Sequence, residues 1–340
     1  MYNFSQTSEH PPVGEKVRIY MESMFTSRKV VIIGAGAVGS SFAYALAQKG
    51  IADEIALSDI NRDYAEGQVL DLAHGLPYYP NVQIKVGTQK DYADASVIVI
   101  TAGAKQAPGE TRLNLLQKNA AMIRSIMDDI SAQNSRAVVV IASNPVDILT
   151  QAAIAHSGWP KNRIIGSGTV LDSARFRYLL SKHCDVDVSN VHAYVLGEHG
   201  DSEVMAWSMT HVGGIPIEEY CPRCANCGSW EQEREKIAHQ VRDSAYHIIN
   251  YKGATYYAIG MALVRITAAI LQDQNSVLTV STLLNGEYGL HDVCLSIPVM
   301  LGKDGVKRIV EAHLPAEEQA LLEKSADVLR KSYAELAQPA

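Results

Sequence analysis

No stretch of this 340-residue chain stays apolar for long enough to span a bilayer, and the opening residues, MYNFSQTSEHPPVGEKVRIY, lack the apolar core of a secretory signal. Positive charge is not in excess either. The chain has 30 Lys and Arg against 37 Asp and Glu, a formal net charge of −7, so no global attraction to nucleic acid or to a membrane surface is expected. An anionic ligand would have to be held by locally placed cations. Cysteine is scarce, with five residues, which fits a reducing compartment, and the chain reads as a cytoplasmic protein. Internal repeats, low-complexity runs and Gly-, Ser- or Pro-rich linkers are missing as well. What is present is a 47% hydrophobic composition over a length that suits two intimately packed domains.

Residues 1–27 are polar, carry Pro11-Pro12 and Gly14 without a clear period, and read as a mobile tail, with Met21 and Met24 as alternative starts. From Lys29 short apolar runs alternate with amphipathic stretches: KVVIIG, a helix over 37–49, EIALSD, a helix over 62–74, QIKVG and ASVIVITAG. A long helical pattern over 111–133 leads into AVVVIAS, and RIIGSG follows at 163–168. Near-continuous Val/Ile runs imply strands covered on both faces, hence a parallel sheet flanked by helices. The second half mixes β-like segments (NVHAYVLG, SEVMAWSMTHVGG, NSVLTVSTLL, CLSIPVML) with polar helices near 230–251 and 316–336, which is α+β material.

Gly34-Ala35-Gly36-Ala37-Val38-Gly39 directly follows the first strand and opens a helix, the context that gives GxGxxG its meaning. Gly34 permits the tight turn, Gly36 lets backbone approach a pyrophosphate, and Gly39 allows close helix-to-strand packing. Asp59 ends the second strand, 20 residues after Gly39, where a carboxylate accepts hydrogen bonds from ribose hydroxyls and repels a 2′-phosphate. NAD is therefore expected rather than NADP. The expected class is α/β, with a Rossmann-type doubly wound parallel sheet over 28–165 and an α+β substrate domain over 166–340. No linker marks the boundary, so it is soft.

Four polar segments supply the residue types that ketone reduction needs. TAGAKQAPGETR (101–112) follows a strand, offers Gln106 and Arg112, and carries Gly103 and Pro108-Gly109, which suits a loop closing over substrate; the alternative for Arg112 is a solvated cation at a helix start. In SNPVD (143–147), Asn144 could bond the substrate oxygen or the nicotinamide carboxamide, or cap the next helix, and Pro145 makes a cis bond possible. In TVLDSARFR (169–177), Asp172 and Arg175 share a helix face and form a structural ion pair or serve the site. In GEHGDSE (197–203), His199 lies between glycines at a strand end, exposed on a turn and suited to proton exchange near neutrality.

Together these motifs resemble the lactate/malate dehydrogenase family, and the match runs from about Arg28 to the C-terminus. The resemblance implies that His199 gives its proton to the ketone oxygen as hydride arrives, that Asp172 orients the imidazole, that Arg175 clamps the substrate carboxylate, and that Arg112 polarises the carbonyl. It also implies that Val38, Ala102, Gly103 and Asn144 join Gly34, Gly36, Gly39 and Asp59 around the cofactor. By resemblance Gln106 faces the group beyond the reacting carbonyl, where malate-type members place an Arg. A neutral side chain there would leave a second carboxylate without a partner, at a cost of several kcal/mol, so pyruvate and L-lactate are the implied pair. Thr255 matches the lactate-type position at the same end. Arg177 and His192 match positions that in bacterial lactate-type members bind fructose 1,6-bisphosphate between subunits, which implies an allosteric homotetramer; ordinary surface cations are the alternative. The rivals are malate-type specificity and a catalytically silent NAD-binding scaffold.

Cys184 and Cys294 lie in apolar-rich segments and are expected to behave as small buried hydrophobes. Cys221, Cys224 and Cys227 form CPRCANC, whose spacing resembles a metal knuckle. A closed zinc site takes four ligands, and no fourth is evident nearby. A surface loop of free thiols without a metal is therefore expected, with a metal or disulfide role as the alternatives.

Overall fold

A computed structural model describes residues 28–104, 109–224 and 226–336. The polar tail over 1–27, Gln106 and Pro108 lie outside the described residues. The elements of the first half are β1 (Lys29–Ile33), α1 (Ala37–Lys49), β2 (Glu54–Ser58), α2 (Arg62–His74), β3 (Gln83–Val86), β4 (Val97–Ile100), α3 (Arg112–Ala132), β5 (Val138–Ile141), α4 (Val146–Ser157) and β6 (Ile164–Gly166). The six strands pair in parallel in the order β3-β2-β1-β4-β5-β6. Alternate residues leave the sheet on opposite faces: Val30, Ile32, Val97, Val99, Val138 and Val140 enter one core, Val31, Ile33, Ile98, Ile100, Val139 and Ile141 the other. The apolar runs are therefore continuous because helices cover both sides. The first helices end where their sequences provide: Gly50 takes φ 60° after α1, and Gly158 takes φ 65° after α4, the left-handed geometry that closes a helix most easily without a Cβ.

The second half contains α5 (Val170–Cys184), β7 (Val191–His192), β8 (Val195–Leu196), β9 (Val204–Met205), β10 (His211–Val212), β11 (Ile215–Pro216), α6 (Ile217–Tyr220), α7 (Trp230–Lys252), α8 (Tyr257–Leu271), β12 (Ser276–Asn285), β13 (His291–Gly302), β14 (Gly305–Ile309) and α9 (Ala316–Glu335). It is α+β as expected, but β12, β13 and β14 continue the first sheet antiparallel from β6, giving nine strands in one sheet. The β-like reading of SEVMAWSMTHVGG holds only at its ends, because a 3-10 turn over Trp207–Met209 separates β9 from β10. That turn buries Trp207 edge-on against Phe176, ring centroids 4.8 Å apart, in a third core. Among the described residues no helix is long and apolar enough to cross a membrane.

Candidate active site

The strand order reverses between β1 and β4, and the loops leaving these two strands meet there, the place where open α/β sheets bind ligands. The Thr101 hydroxyl donates to the Gly34 carbonyl at 2.8 Å, and the Thr101 and Ala102 amides donate to Ile33 O at 2.8 and 2.9 Å. Gly34 sits at φ +110°, and a Cβ on it would lie 2.6 Å from the Ala102 nitrogen. On Gly39 a Cβ would lie 1.9 Å from the Gly34 oxygen, so a side chain would drive α1 off the turn. Gly36 differs: a Cβ there meets nothing within 4 Å, and α1 begins at it with no side-chain cap. This is an open cradle with uncapped helix amides, and it fits the pyrophosphate of a dinucleotide. Asp59 lies just after β2 with its carboxylate fixed by the Ala35 amide at 2.8 Å and the Asn61 amide at 3.0 Å, at the position that a ribose diol would reach. Gly103 is exposed with open space at its Cβ position, and Val38 and Ala102 are half-buried beside the cradle.

A cleft of about 1230 Å³ lies beyond these loops and is lined by Arg112, Asn144 and His199 among others. Each comes from the end of a regular element. Arg112 is the first residue of α3, whose N-cap Thr111 accepts the Asn114 amide at 3.1 Å. Asn144 follows β5, and its bond to Pro145 is cis. The N-cap of α4 is Pro145 and no side chain caps that helix, so Asn144 is not the cap that the sequence allowed; it is exposed to the cleft.

His199 sits between β8 and β9, on a turn entered through Gly197 at φ +85°, and Gly197 exchanges backbone hydrogen bonds with Ser296 of β13 at 2.8 and 2.9 Å. The His199 amide donates to Asp147 Oδ2 at 2.8 Å, and Nδ1 meets Asp172 Oδ2 at 2.6 Å. The other oxygen of Asp172 accepts from Arg175 Nη1 at 2.6 Å. The two readings of Asp172 and Arg175 thus merge, since they are an ion pair and also the support of the imidazole. Nε2 is the ring nitrogen left for the cleft.

Electrostatics follow from this geometry. Burial disfavours a charged imidazole, but the Asp172 carboxylate outweighs it and carries the pKa of His199 up to about 9. Burial would likewise raise Asp172, yet His199 and Arg175 reverse this and hold its carboxyl below the ordinary value. Two buried acids escaped the sequence reading of roles although both lie inside the quoted motifs. Burial pushes Asp147 up to about 6 even though it accepts the His199 amide. Glu203, on the cleft wall, is pushed up to about 8 by burial and by the charge of Asp172, and its Oε1 has no hydrogen-bond partner among the described residues.

Thr255 lies between α7 and α8, half-buried, and is not among the residues lining the cleft. Arg177 donates through Nε to the Val191 carbonyl at 2.7 Å, which puts it beside exposed His192, itself paired in register with His211.

Comparison with known proteins agrees with this arrangement. The model of the lactate/malate dehydrogenase NAD-binding domain matches residues 28–166, and that of the lactate/malate dehydrogenase alpha/beta C-terminal domain matches residues 169–338. An L-lactate dehydrogenase of Treponema denticola is 56% identical over 309 residues, 91% of this chain and 98% of that protein. One from Acetivibrio thermocellus is 49% identical over 304 residues, 89% of this chain and 96% of that protein. The crystal structure of a lactate dehydrogenase from a Medee basin deep-sea metagenome library superposes with a TM-score of 0.89 at 46% identity, covering 92% of this chain and 99% of that one.

Proposed function

This chain belongs to the lactate/malate dehydrogenase family, and from that membership and its site we propose that it interconverts pyruvate and L-lactate with NAD as hydride carrier. The observation that carries the reading is the 2.6 Å contact of Asp172 with His199 Nδ1, which leaves Nε2 to a cleft shared with Asn144 and Arg112. When bound, the nicotinamide supplies or accepts the hydride. The chain's own residues do the rest. With a pKa near 9, His199 is protonated at neutrality and is ready to give a proton to the ketone oxygen; in lactate oxidation the neutral ring accepts it back. Asp172 holds the ring and balances its charge. Arg175 keeps guanidinium N–H groups beyond its bond to Asp172 for the substrate carboxylate, and Arg112 and Asn144 address the carbonyl oxygen as negative charge develops there. Gly34, Gly36, Val38, Gly39, Asp59, Ala102, Gly103 and Asn144 hold the dinucleotide. On the resemblance alone, Gln106 and Thr255 close the methyl end of the pocket. Residues 28–165 serve the cofactor and 166–340 the substrate.

The same proposal includes a cytoplasmic, fermentative role at the end of glycolysis and a homotetramer in which Arg177 and His192 of facing subunits hold fructose 1,6-bisphosphate. The proximity of Arg177 to His192 supports it, since two such pairs across a two-fold axis would repel until an anion neutralises them. The test is NADH oxidation with a panel of 2-keto acids, run with and without the bisphosphate at pH 6 and pH 7.5. Pyruvate should lead and oxaloacetate should trail, with the bisphosphate lowering the KM for pyruvate. A lead for oxaloacetate would overturn the substrate, and identical curves with and without the bisphosphate would overturn the effector.

A further inference from the structure

The fold supplies what CPRCANC lacks by itself. The knuckle lies between α6 and α7, and it folds through consecutive turns, with Cys224 N donating to Cys221 O at 3.0 Å and Cys227 N to Cys224 O at 3.3 Å. These turns bring the sulfurs to the C-terminal end of α5, where His183 stands in the last turn. His183 Nε2 is 3.1 Å from Cys221 Sγ and 3.7 Å from Cys224 Sγ, and Cys221 Sγ is 3.0 Å from Cys227 Sγ. The ligand atoms of His183, Cys221 and Cys227 all lie within 4.8 Å of one another. A fourth candidate ligand, not evident near CPRCANC in sequence, thus stands beside it on a helix remote in sequence.

We propose that His183, Cys221, Cys224 and Cys227 form a structural zinc site. A Cys₃His set is among those that close a tetrahedron on zinc, and its softness excludes magnesium and calcium. With Zn–S near 2.3 Å and Zn–N near 2.0 Å, neighbouring ligand atoms in such a tetrahedron stand about 3.5 to 3.8 Å apart. For His183, Cys221 and Cys227 the separations of 3.1 and 3.0 Å reach that spacing with shifts of under about 1 Å, and Cys224, whose Sγ is 3.7 Å from His183 Nε2, completes the set by rotation of its side chain on the loop. The surroundings are those of a metal site as well. Glu233 Oε2 lies 3.6 Å from His183 Nδ1, placed to hold the ring with Nε2 toward the sulfurs, the outer carboxylate that zinc-bound imidazoles use. Asn226 Nδ2 donates to the His183 carbonyl at 2.9 Å and fastens the loop to α5. Cys221 is fully buried against the core that contains Phe176 and Trp207. The ion would tie the C-terminal end of α5, the helix that carries Asp172 and Arg175, to the start of α7, which lines the cleft through Arg234, Arg242 and Tyr246. No electron transfer is involved: three thiols lose protons to solvent as the ion binds.

The full-length chain, purified under reducing conditions without a metal-affinity step, is analysed by elemental mass spectrometry, expecting about one zinc per chain. The Cys227→Ser and His183→Gln variants should each carry below about a fifth of that. Zinc stripped with a chelator should rebind when zinc alone is added, and cobalt in its place should give tetrahedral thiolate absorption bands. Cys224→Ser, at a half-buried position, serves if Cys227→Ser fails to fold. A zinc-free wild type that does not take up added zinc overturns the proposal. Titration under denaturing conditions then separates five free thiols from two fewer, the mark of a disulfide. Zinc retained by both variants overturns it too.

Discussion

Replacing Asp172 by Asn keeps the shape of the contact to His199 Nδ1 and removes its charge, so it isolates what the carboxylate does to the imidazole. With Asp172 in place the ring titrates at about 9 against an ordinary 6.5, a gap of about 3 kcal/mol in favour of imidazolium at about 1.4 kcal/mol per pH unit. Without the charge, burial of the ring is opposed only by weaker contributions, and the pKa should fall to 6.5 or below. If reduction of pyruvate needs the protonated ring, parent kcat/KM should change by only about 1.1-fold between pH 6 and pH 8, whereas Asp172→Asn should lose about 25-fold over the same range. Lactate oxidation needs the neutral ring, so the parent should gain rate up to pH 9 and the variant should level off near 6.5. The assay is initial-rate kinetics in both directions across pH 5.5 to 10. Asp172 also holds Arg175, so a rise in the KM for pyruvate is expected at every pH; the profile carries the test, because loss of the clamp alone would lower the curve without moving its break. A variant whose reduction limb still breaks near 9 would refute the reasoning.

Glu203 offers a stability test. Its carboxyl is raised from 4.5 to about 8 in the fold, so the folded chain binds more protons than the unfolded one between these values. Its contribution to stability is full below pH 4.5 and is lost as pH rises through 8. Glu203→Gln should therefore match the parent in Tm near pH 4.5 and exceed it by several degrees near pH 8.5; parallel Tm profiles would refute it. The two glycines of the cradle should separate cleanly. A Cβ on Gly36 meets no protein atom within 4 Å, so in Gly36→Ala Tm should hold while the Kd for NADH, read by fluorescence titration, rises at least tenfold, about 1.4 kcal/mol. Gly39→Ala places a Cβ 1.9 Å from the Gly34 oxygen and should cost about 1 to 3 kcal/mol of stability.

The parallel half was legible because each of its signals is local. Val/Ile runs, a glycine turn and an acid at the next strand end fall within about 30 residues, and α1, α2 and α3 begin and end within a residue of the periodic stretches. The helix α8, YAIGMALVRITAAIL, left no such mark, because it is apolar on both faces: Leu263, Val264, Ile266 and Ile270 lie in the main core and at Gly260 a Cβ would come 3.3 Å from the α1 backbone, while the exposed stripe carries Tyr257, Ala258 and Met261 beside Arg265, so core and solvent faces contrast little in sequence. The attachment of β12 to β6 was equally silent, since it rests on an edge that only the assembled sheet presents.

Long-range partners divide by the same rule. His199 and Asp172 are 27 residues apart, yet His199 stands between glycines at a strand end and Asp172 shares a helix face with Arg175, so each carries a local pattern that marks it. Asp147 is 52 residues from the amide it accepts and reads locally as an ordinary acid in the first turn of a helix, favoured there by the dipole, so nothing marks it as a support for the His199 turn. His183 is the extreme case. It is 38 residues before Cys221 and lies in LLSKHC, where a basic residue in the last turn of a helix is already explained. What singles it out is a constraint available only in three dimensions: Cys184 and Cys221 bury in one core, so the residue between that core and the surface on α5 must face the knuckle. A search for the missing ligand confined to the neighbourhood of CPRCANC fails for this reason, while one that asks which helix end shares the core of Cys221 arrives at His183.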